Sequence, residues 1–422
     1  MEEPKEKFSR RKFLGNAAAI SAIGALGVNG LITACSNNKK TRITLPVPLD
    51  SAPDGPVLRA GLIGCGGRGS GAALDFLNAG PNLEITALGD VFQDKIDNTK
   101  KKLKEQKNME VPDENCFLGF DAFEKVIDSG VDVVLLATPP HFRPEHFEAA
   151  IKAKKHIFME KPVAVDPAGI RSVMATGKKA KSVDLCVVAG TQRRHQRDYL
   201  KTYEQVLNGE IGEIVAANCY WNSGKLWHVN RKEGWTDMEW MIRNWVNWLW
   251  LSGDHIVEQH VHNIDVINWF KGKHPIKAVG FGGRLRRITG DQYDNFSIDF
   301  VYDDDVHMHS MCRQINDCAH NVSEYIRGTK GYATCNSLST KIFNPDGTLK
   351  WEYAYPVDEK GEKMGIKISS YVQEHIDLVT AIRTNQPINE AENIAVSTMT
   401  AIMGRISAYT GKEVTWEEMM NS

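Results

Sequence analysis

The side chains best suited to acid–base chemistry are concentrated between Ser252 and Asp265. If this stretch forms one helix, four of them share a face at offsets of three, seven and ten residues: His255, Glu258, His262 and Asp265. A carboxylate four residues before an imidazole can contact it, fix its tautomer and raise its basicity. The pattern predicts that His262, oriented by Glu258, accepts the proton of an alcohol.

Two other interpretations of these histidines remain open. Nitrogen and oxygen ligands at helical spacing also suit zinc, so His255, Glu258 and His262 could bind a metal. Because no cysteine or further clustered ligand accompanies them, we expect no metal site. His255 and His260 could instead be structural residues whose rings hydrogen-bond to the backbone.

Tryptophan is unevenly spread along the chain. Seven of the ten fall between Trp221 and Trp250, just before the histidine segment. Aromatic faces pack well against the C–H edges of sugars, so this region could form a carbohydrate platform. Trp227 and Trp235, which lie in a polar stretch, are the best candidates for stacking on a sugar. For most of the seven, we favour the alternative of packing in the core or at a subunit interface.

A dinucleotide site is predicted at the start of the first domain. Residues 57–63 have the apolar pattern of a strand and run into a glycine-rich turn, which is followed by a helical stretch. Glycines at such a junction allow a tight turn and a close approach of the backbone to a pyrophosphate, which the helix N-terminus attracts. The predicted contacts with this anion are Gly64, Gly66, Gly67, Arg68 and Gly69.

A second strand, 83–88, adds an acidic residue to this site. It ends at Asp90, and a carboxylate at this distance from the glycine turn can accept hydrogen bonds from a ribose. The alternative role of Asp90 is to cap a helix or to stabilise a turn. No arginine follows closely enough to bind a 2′-phosphate, so the sequence favours NAD over NADP.

Two further strands end in residues that would face the cofactor. Residues 131–137 are almost wholly apolar, which is typical of a strand buried in a parallel sheet. Thr138, Pro139 and His141 follow it and would lie at the carboxyl edge, where cofactors bind. A strand over 156–159 leads directly into Glu160-Lys161-Pro162.

With these motifs the chain resembles the Gfo/Idh/MocA oxidoreductases, named for glucose–fructose oxidoreductase and inositol dehydrogenase. The resemblance covers nearly all of residues 58–420. Its strongest marker is Glu160-Lys161-Pro162, which begins 22 residues after Thr138. The resemblance implies an enzyme that binds NAD(P) and acts on sugars, polyols or related carbinols.

The same resemblance implies roles for individual residues. Lys161 would contact both the substrate hydroxyl and the nicotinamide, and Arg194 would lie near the nicotinamide. His262 would be the proton acceptor, with Glu258 at a position where the family commonly has aspartate. Asp265 completes that family pattern and is a candidate substrate contact.

The order of patterns predicts two domains. Residues 57–185 would form an α/β Rossmann domain that binds the cofactor. Residues 186–422 contain many strand patterns, which predict an α+β domain with a large, mostly antiparallel sheet. Helical patterns from 371 to 409 are expected to pack back on the first domain. In the family this sheet often packs against its mate, so we expect a homo-oligomer.

Residues 1–35 resemble an export signal. Ser9-Arg10-Arg11-Lys12-Phe13-Leu14 is a twin-arginine motif, and the apolar run that follows is only mildly hydrophobic. A transmembrane anchor is the alternative. Cys35 ends a lipobox-like sequence and could be acylated, unless it is a chance cysteine in an ordinary cleavage region. Residues 36–56, with four prolines and no apolar periodicity, are expected to be a flexible tether.

The net charge of the chain and its expected export narrow the range of possible functions. The formal net charge is −2 and no basic block is present, so there is no electrostatic case for nucleic acid. The twin-arginine route carries folded proteins to a compartment without a free nicotinamide pool, so we expect tightly bound NAD. The expected protein is a periplasmic oxidoreductase acting on a sugar or glycoside hydroxyl, with C3 as a candidate carbon. The alternatives are a redox-neutral NAD-dependent glycosidase and a non-catalytic sugar-binding protein.

Overall fold

The computed structural model describes residues 42–336, 339–357, 359 and 367–422. Its first domain is built on a parallel sheet of six strands, in the order β3-β2-β1-β4-β5-β6. The strands are β1 (Leu58–Ile63), β2 (Leu83–Asp90), β3 (Cys116–Leu118), β4 (Val133–Leu136), β5 (His156–Met159) and β6 (Val187–Ala189). This order is that of a Rossmann fold, whose ligands bind beside the carboxyl end of β1, where the strand order reverses.

Helices cover both faces of this sheet, which is why all four residues of β4 are apolar and buried. The helices are α1 (Gly67–Leu77), α2 (Gln93–Lys107), α3 (Ala122–Asp128), α4 (Arg143–Lys152) and α5 (Pro167–Ser182). The lysine-rich α2 buries Ile96, Thr99 and Leu103, so its lysines form a solvated outer face.

The second domain contains a nine-stranded sheet in the order β14-β13-β12-β11-β7-β10-β9-β8-β15. Its strands are β7 (Ile214–Ser223), β8 (Lys277–Gly283), β9 (Asn295–Val301), β10 (His307–Gln314), β11 (Asn321–Gly328), β12 (Gly331–Asn336), β13 (Ser339–Phe343), β14 (Leu349–Glu352) and β15 (Val414–Thr415). Among the described strands of this sheet, β7 and β10 pair in parallel and the other neighbours are antiparallel. The predicted fold class is therefore confirmed.

Among the described residues, eight α-helices follow β6 in the chain. They are α6 (Arg197–Leu207), α7 (Asp237–Arg243), α8 (Leu249–Ser252), α9 (His255–Glu258), α10 (Val261–Lys271), α11 (Ser370–Arg383), α12 (Ala391–Thr410) and α13 (Trp416–Asn421). The C-terminal helix α11 returns to the first domain, where Ile376 and Val379 share a buried cluster with Leu62 and Phe76.

The prediction of one continuous helix through the histidine segment is wrong. A turn at Gln259 and His260 interrupts the helix and separates α9 from α10. Tertiary contacts with β10 explain the break, because Gln314 donates to the Gln259 side chain at 2.6 Å and His260 Nε2 lies 2.7 Å from the Ser310 hydroxyl. Glu258 and His262 therefore do not share a helix face.

The prediction of a flexible tether over 36–56 is wrong for residues 42–56. Leu45 is buried and its backbone N–H donates to the Glu204 carboxylate at 2.7 Å, on α6. Ala52 is also buried and its N–H donates to the Ala79 carbonyl oxygen at 2.7 Å, in the first domain. The segment is therefore fixed to both domains at Leu45 and Ala52, while Ile43, Val47 and Leu49 stay exposed.

The predicted signal, residues 1–35 with Cys35, lies outside the described residues. Within the described ranges, no helix combines the length and the apolar content that crossing a bilayer requires.

Candidate active site

The glycine turn between β1 and α1 leaves one side of the backbone open. Gly64 has a φ of +95°, and a Cβ there would lie 2.7 Å from the Thr138 backbone nitrogen. A Cβ on Gly69 would lie 1.8 Å from the Gly64 carbonyl oxygen, so close packing requires both glycines. At Gly66 and Gly67, an added Cβ would meet nothing within 4 Å. This open side, at the N-terminus of α1, fits the pyrophosphate of a dinucleotide.

Asp90, at the end of β2, closes the other side of the turn. Its Oδ2 accepts from the Cys65 N–H at 2.7 Å and its Oδ1 from the Phe92 N–H at 2.9 Å. Burial raises the pKa of this carboxyl, and the two N–H donors oppose that shift. Each carboxylate oxygen keeps a second acceptor site, so Asp90 can hold the turn and still accept a ribose hydroxyl. The turn and Asp90 together fit NAD.

Arg68 points from the glycine turn toward three carboxylates. Its guanidinium nitrogens lie 2.5 Å from Glu160 Oε1, 2.9 Å from Asp75 Oδ2 and 3.5 Å from Glu374 Oε2. The same group lies 4.8 Å from the centre of the Tyr371 ring. The side chain is therefore engaged within the protein, and only the backbone of Arg68 is placed to meet the cofactor.

Glu160 and Lys161 connect this charged group to the second domain. Glu160 Oε2 accepts from the Lys161 backbone N–H at 3.2 Å. The Lys161 ammonium donates to the carbonyl oxygen of Glu258 and lies 3.1 Å from Glu258 Oε1. Both side chains of this pair are largely buried, with 11% and 12% of their surfaces exposed. A chain of charged groups therefore runs from the glycine turn through Lys161 to α9.

Arg143, at the start of α4, holds the loop that follows Lys161. Its Nη1 donates to the Pro162 carbonyl oxygen at 2.5 Å. The side chain is buried, and burial lowers the pKa of the guanidinium to about 10. The sequence assigns no role to this residue, because its role depends on a partner 19 positions away.

His262 lies next to this ion pair, at the start of α10. Its ring is buried and stacks on Trp221 with ring centres 5.8 Å apart. Burial lowers its pKa well below the usual range, and the positive charges of Lys161, Arg193 and Arg68 lower it further. The imidazole is therefore neutral at neutral pH and offers a free ring nitrogen, while the same burial and charges make it a weaker base than a free imidazole.

The predicted Glu258–His262 pair does not form. Within the described residues, no hydrogen bond joins them, and Glu258 binds Lys161 instead. The break between α9 and α10 accounts for the difference, because the two residues no longer belong to one regular helix.

His255 and His260 are structural in this fold. His255 Nδ1 lies 3.0 Å from Asp254 Oδ1, and the His260 ring contacts the Ser310 hydroxyl on β10. Burial lowers the pKa of His260 to about 3, so its ring is neutral. Across the described parts of the chain, no three His, Cys, Asp or Glu side chains come close enough together to hold a metal ion.

Arg194 and Asp265 bind each other rather than ligands. Arg194 Nε and Nη2 donate to the two carboxylate oxygens of Asp265 at 2.8 and 2.9 Å. Asp265 also accepts from the Ser397 hydroxyl at 2.7 Å and is only 1% exposed. The structure thus disagrees with the predicted contacts of Arg194 with cofactor and of Asp265 with substrate, since both side chains are committed to an internal ion pair.

The preceding arginine, Arg193, is the one that faces His262. Its guanidinium lies 5.9 Å from the centre of the Trp221 ring, on which His262 stacks. Its Nη1 donates to buried Glu324 at 2.6 Å, and Glu324 also accepts from the Tyr199 hydroxyl at 3.0 Å. Trp221 was part of the tryptophan-rich pattern, but nothing in the sequence distinguished it from the other six.

The two tryptophans predicted to stack on a sugar lie elsewhere. Trp227 is 45% exposed and meets Trp245 edge-on, with ring centres 6.3 Å apart. Trp235 packs 4.8 Å from the Arg243 guanidinium. No ring contact or hydrogen bond in the described structure joins either residue to Lys161 or His262, so the structure does not bring them to that site.

Thr138, Pro139 and His141 lie at the carboxyl end of β4, beside the glycine turn. Thr138 Oγ1 is 3.3 Å from His146 Nδ1, and Pro139 leads into a short 3-10 turn. The His141 ring meets Trp250 of the second domain edge-on at 5.1 Å. Of these residues, His141 therefore contacts the second domain.

Two family models match the chain. One, described as the oxidoreductase family with an NAD-binding Rossmann fold, matches residues 58–189, and the other, the GFO/IDH/MocA C-terminal domain, matches residues 199–334. The chain belongs to the Gfo/Idh/MocA family. The two matched ranges carry the six-stranded sheet and most of the nine-stranded sheet, and the first domain of this family member binds NAD.

Two curated relatives and one solved structure extend this result. The chain is 32% identical over 156 residues to myo-inositol 2-dehydrogenase of Thermotoga maritima, covering 37% of this chain and 42% of that relative. It is 25% identical over 240 residues to a glycosyl hydrolase family 109 protein of Streptomyces coelicolor, covering 52% of this chain and 50% of that relative. The chain thus matches half or less of the length of these two relatives.

The solved structure is scyllo-inositol dehydrogenase from Lactobacillus casei, with bound NAD(H) and scyllo-inositol. It superposes with a TM-score of 0.63 at 20% identity, over 85% of this chain and 99% of that one. This similarity establishes that both domains share the fold of that dehydrogenase.

Proposed function

We propose that this protein is an exported NAD-dependent oxidoreductase that acts on a hydroxyl of a sugar or glycoside, with C3 as the candidate carbon, and holds its NAD tightly. The observation that carries the proposal is the buried Lys161–Glu258 ion pair at the carboxyl edge of the Rossmann sheet, where the charge of Lys161 acts on the buried, neutral imidazole of His262. The similarity to an inositol dehydrogenase supports a polyol or sugar substrate.

The side chains suggest how the hydroxyl would be activated. Bound NAD supplies the hydride acceptor. His262, kept neutral by its buried setting, takes the hydroxyl proton. The ammonium of Lys161, oriented by Glu258, donates a hydrogen bond to the substrate oxygen as negative charge develops on it. Arg143 fixes the backbone that carries Lys161, so the ammonium is positioned before substrate arrives.

Replacement of Lys161 and His262 tests this assignment. Lys161→Ala and His262→Gln should each lower kcat by roughly 100-fold or more, the range for loss of a positioned proton-transfer group. His255→Gln is a matched control because His255 is buried in the same segment but binds Asp254. Retention of near-normal turnover by folded Lys161→Ala protein would refute the proposal.

A second candidate function is a redox-neutral glycosidase that oxidises, eliminates, adds water and reduces back. The similarity to a glycosyl hydrolase family 109 protein favours it. Such a cycle needs no external electron acceptor, which suits an exported enzyme. Incubation with aryl glycosides without added NAD separates the two: aglycone release without net NADH supports the glycosidase, and a keto glycoside that requires an acceptor supports the dehydrogenase.

Export and membrane attachment are further parts of the proposal. They rest on Arg10, Arg11 and Cys35 in the sequence. Conversion of both arginines to lysine should retain the protein in the cytoplasm, whereas Cys35→Ala should release it from membranes without blocking export. Assembly into a homo-oligomer is proposed from the family resemblance, and light scattering on the purified protein would test it.

A further inference from the structure

A segment of the second domain crosses the carboxyl edge of the six-stranded sheet. This segment, residues 227–252, contains six of the ten tryptophans and is called the tryptophan segment below. In its C-terminal half, the Arg243 guanidinium lies 3.8 Å from the centre of the Phe92 ring, just after β2. Seven residues further on, Trp250 contacts His141, just after β4. Because β2 and β4 flank β1 in the sheet, the segment spans the glycine turn.

Arg243, the last residue of α7, makes an ion pair with the first domain. Its Nη2 and Nη1 lie 2.9 and 3.3 Å from the two carboxylate oxygens of Asp94, in the first turn of α2. Its Nε donates to Glu239 at 3.0 Å, and the same guanidinium faces Trp235. The guanidinium is thus held between an aromatic ring and a carboxylate of the opposite domain.

The tryptophan segment has a defined internal structure. The Asn244 side chain accepts from the Val229 N–H at 2.7 Å and donates to the Val229 carbonyl oxygen at 2.9 Å. Trp240 Nε1 donates to the same oxygen at 3.0 Å, and its ring meets Trp248 edge-on at 5.5 Å. These contacts let the segment carry Arg243 as part of a rigid unit.

A cavity of about 290 Å³ lies between α7 and the first domain. Its first-domain wall is formed by Val91, Phe92 and Phe120, and its other wall includes Met238 and Ile242. Val91 directly follows Asp90, the acid placed at the ribose, so the cavity begins where the adenosine half of a dinucleotide continues away from the glycine turn. Its apolar and aromatic walls suit a flat purine base.

We propose that the tryptophan segment is a clasp over the adenosine half of NAD, and that Arg243 is its latch on the first domain. This inference rests on the proposed tight retention of NAD and gives that retention a structural cause. Release of the adenosine half requires α7 to separate from Phe92 and Asp94. The Arg243 charge is already met by Asp94 and Glu239, so the latch adds no free cation for a 2′-phosphate.

The rate at which bound NADH leaves the intact protein tests the latch. Purified protein is loaded with NADH and chased with excess NAD⁺ while the NADH fluorescence is followed. Loss of one bidentate ion pair and one cation–π contact should speed release roughly tenfold in Arg243→Ala. Asp94→Asn should act in the same direction, and the double variant should release no faster than the faster single variant.

Equilibrium binding of the two halves of NAD shows which half Arg243 helps to hold. Arg243→Ala should weaken binding of ADP-ribose and leave binding of nicotinamide mononucleotide unchanged. Lys273→Ala is the control because it removes a comparable surface ion pair, 2.6 Å long, within the second domain. Thermal unfolding of the NAD-free variants verifies that each is folded.

Unchanged release and unchanged ADP-ribose affinity in folded Arg243→Ala protein would overturn the latch, as would equal acceleration by Lys273→Ala. If the unaltered protein releases NADH at once but Arg243→Ala still weakens ADP-ribose binding, the proposal of tightly bound NAD is refuted. The proposed role of Arg243 at the adenosine half is then still supported.

Discussion

Removal of Arg194 distinguishes the structural role of this residue from the cofactor role predicted for it. Arg194→Ala leaves the Asp265 carboxylate in the core with the Ser397 hydroxyl as its remaining hydrogen-bond donor. The broken pair is bidentate, and its side chains are 10% and 2% exposed. Breaking a buried pair of this kind by deleting one partner costs about 3–5 kcal/mol, because a charge is left uncompensated.

Urea unfolding followed by tryptophan fluorescence measures this loss. Arg194→Ala should lower the free energy of unfolding by about 3–5 kcal/mol, while the affinity of the folded fraction for NAD stays within about threefold. The double variant Arg194→Met/Asp265→Leu should recover much of the loss, because an apolar pair of similar volume leaves no buried charge. The reasoning is refuted if Arg194→Ala keeps its stability but loses NAD affinity tenfold or more.

Three further predictions follow from the geometry. Gly66→Ala should weaken NAD binding at least tenfold without lowering the melting temperature of the NAD-free protein, because the added Cβ enters the open space where the cofactor would lie. Gly69→Ala should lower that melting temperature, because its Cβ would overlap the glycine turn, and equal melting temperatures for the two variants would contradict this. Burial lowers the pKa of His260 and of His375 on α11, so both rings are neutral in the folded state, whereas both titrate near pH 6.5 in the unfolded chain. The free energy of unfolding should therefore fall as the pH is lowered from 7 to 5, by up to about 1.4 kcal/mol per pH unit for each histidine. His260→Gln should make this fall with pH less steep. Leu45→Ala should cost about 2–3 kcal/mol in urea unfolding, whereas a free tether would show no change.

The cofactor domain was predictable because its signals are local. The apolar run that forms β4 reports burial, the glycines between β1 and α1 report close packing of the backbone, and each signal is a short contiguous pattern. Lys161 was identified from its motif, yet its partner Glu258 was assigned to the wrong neighbour. That error arose at Gln259, where side-chain bonds to β10 end the helix despite a helical sequence pattern.

The adjacent arginines show a second limit of sequence inference. Arg193 and Arg194 have the same charge and lie one residue apart, so their local patterns are indistinguishable. Their roles diverge because Arg194 pairs with Asp265 and Arg193 pairs with Glu324 in the folded chain. The burial of Leu45 and Ala52 was missed for a related reason, since isolated apolar residues among prolines have no period to detect.

The pinned segment 42–56 has a consequence for how the enzyme would stand on a membrane. If Cys35 carries acyl chains, the seven residue steps to Arg42 span at most about 25 Å. Arg42 and Ile43 are held against the C-terminal end of α6 by Gln205 and Asn208. The body of the enzyme would therefore sit within a few nanometres of the bilayer with this end of α6 turned toward it. Large polymers would then have to reach the cleft from the sides that face away from the lipid.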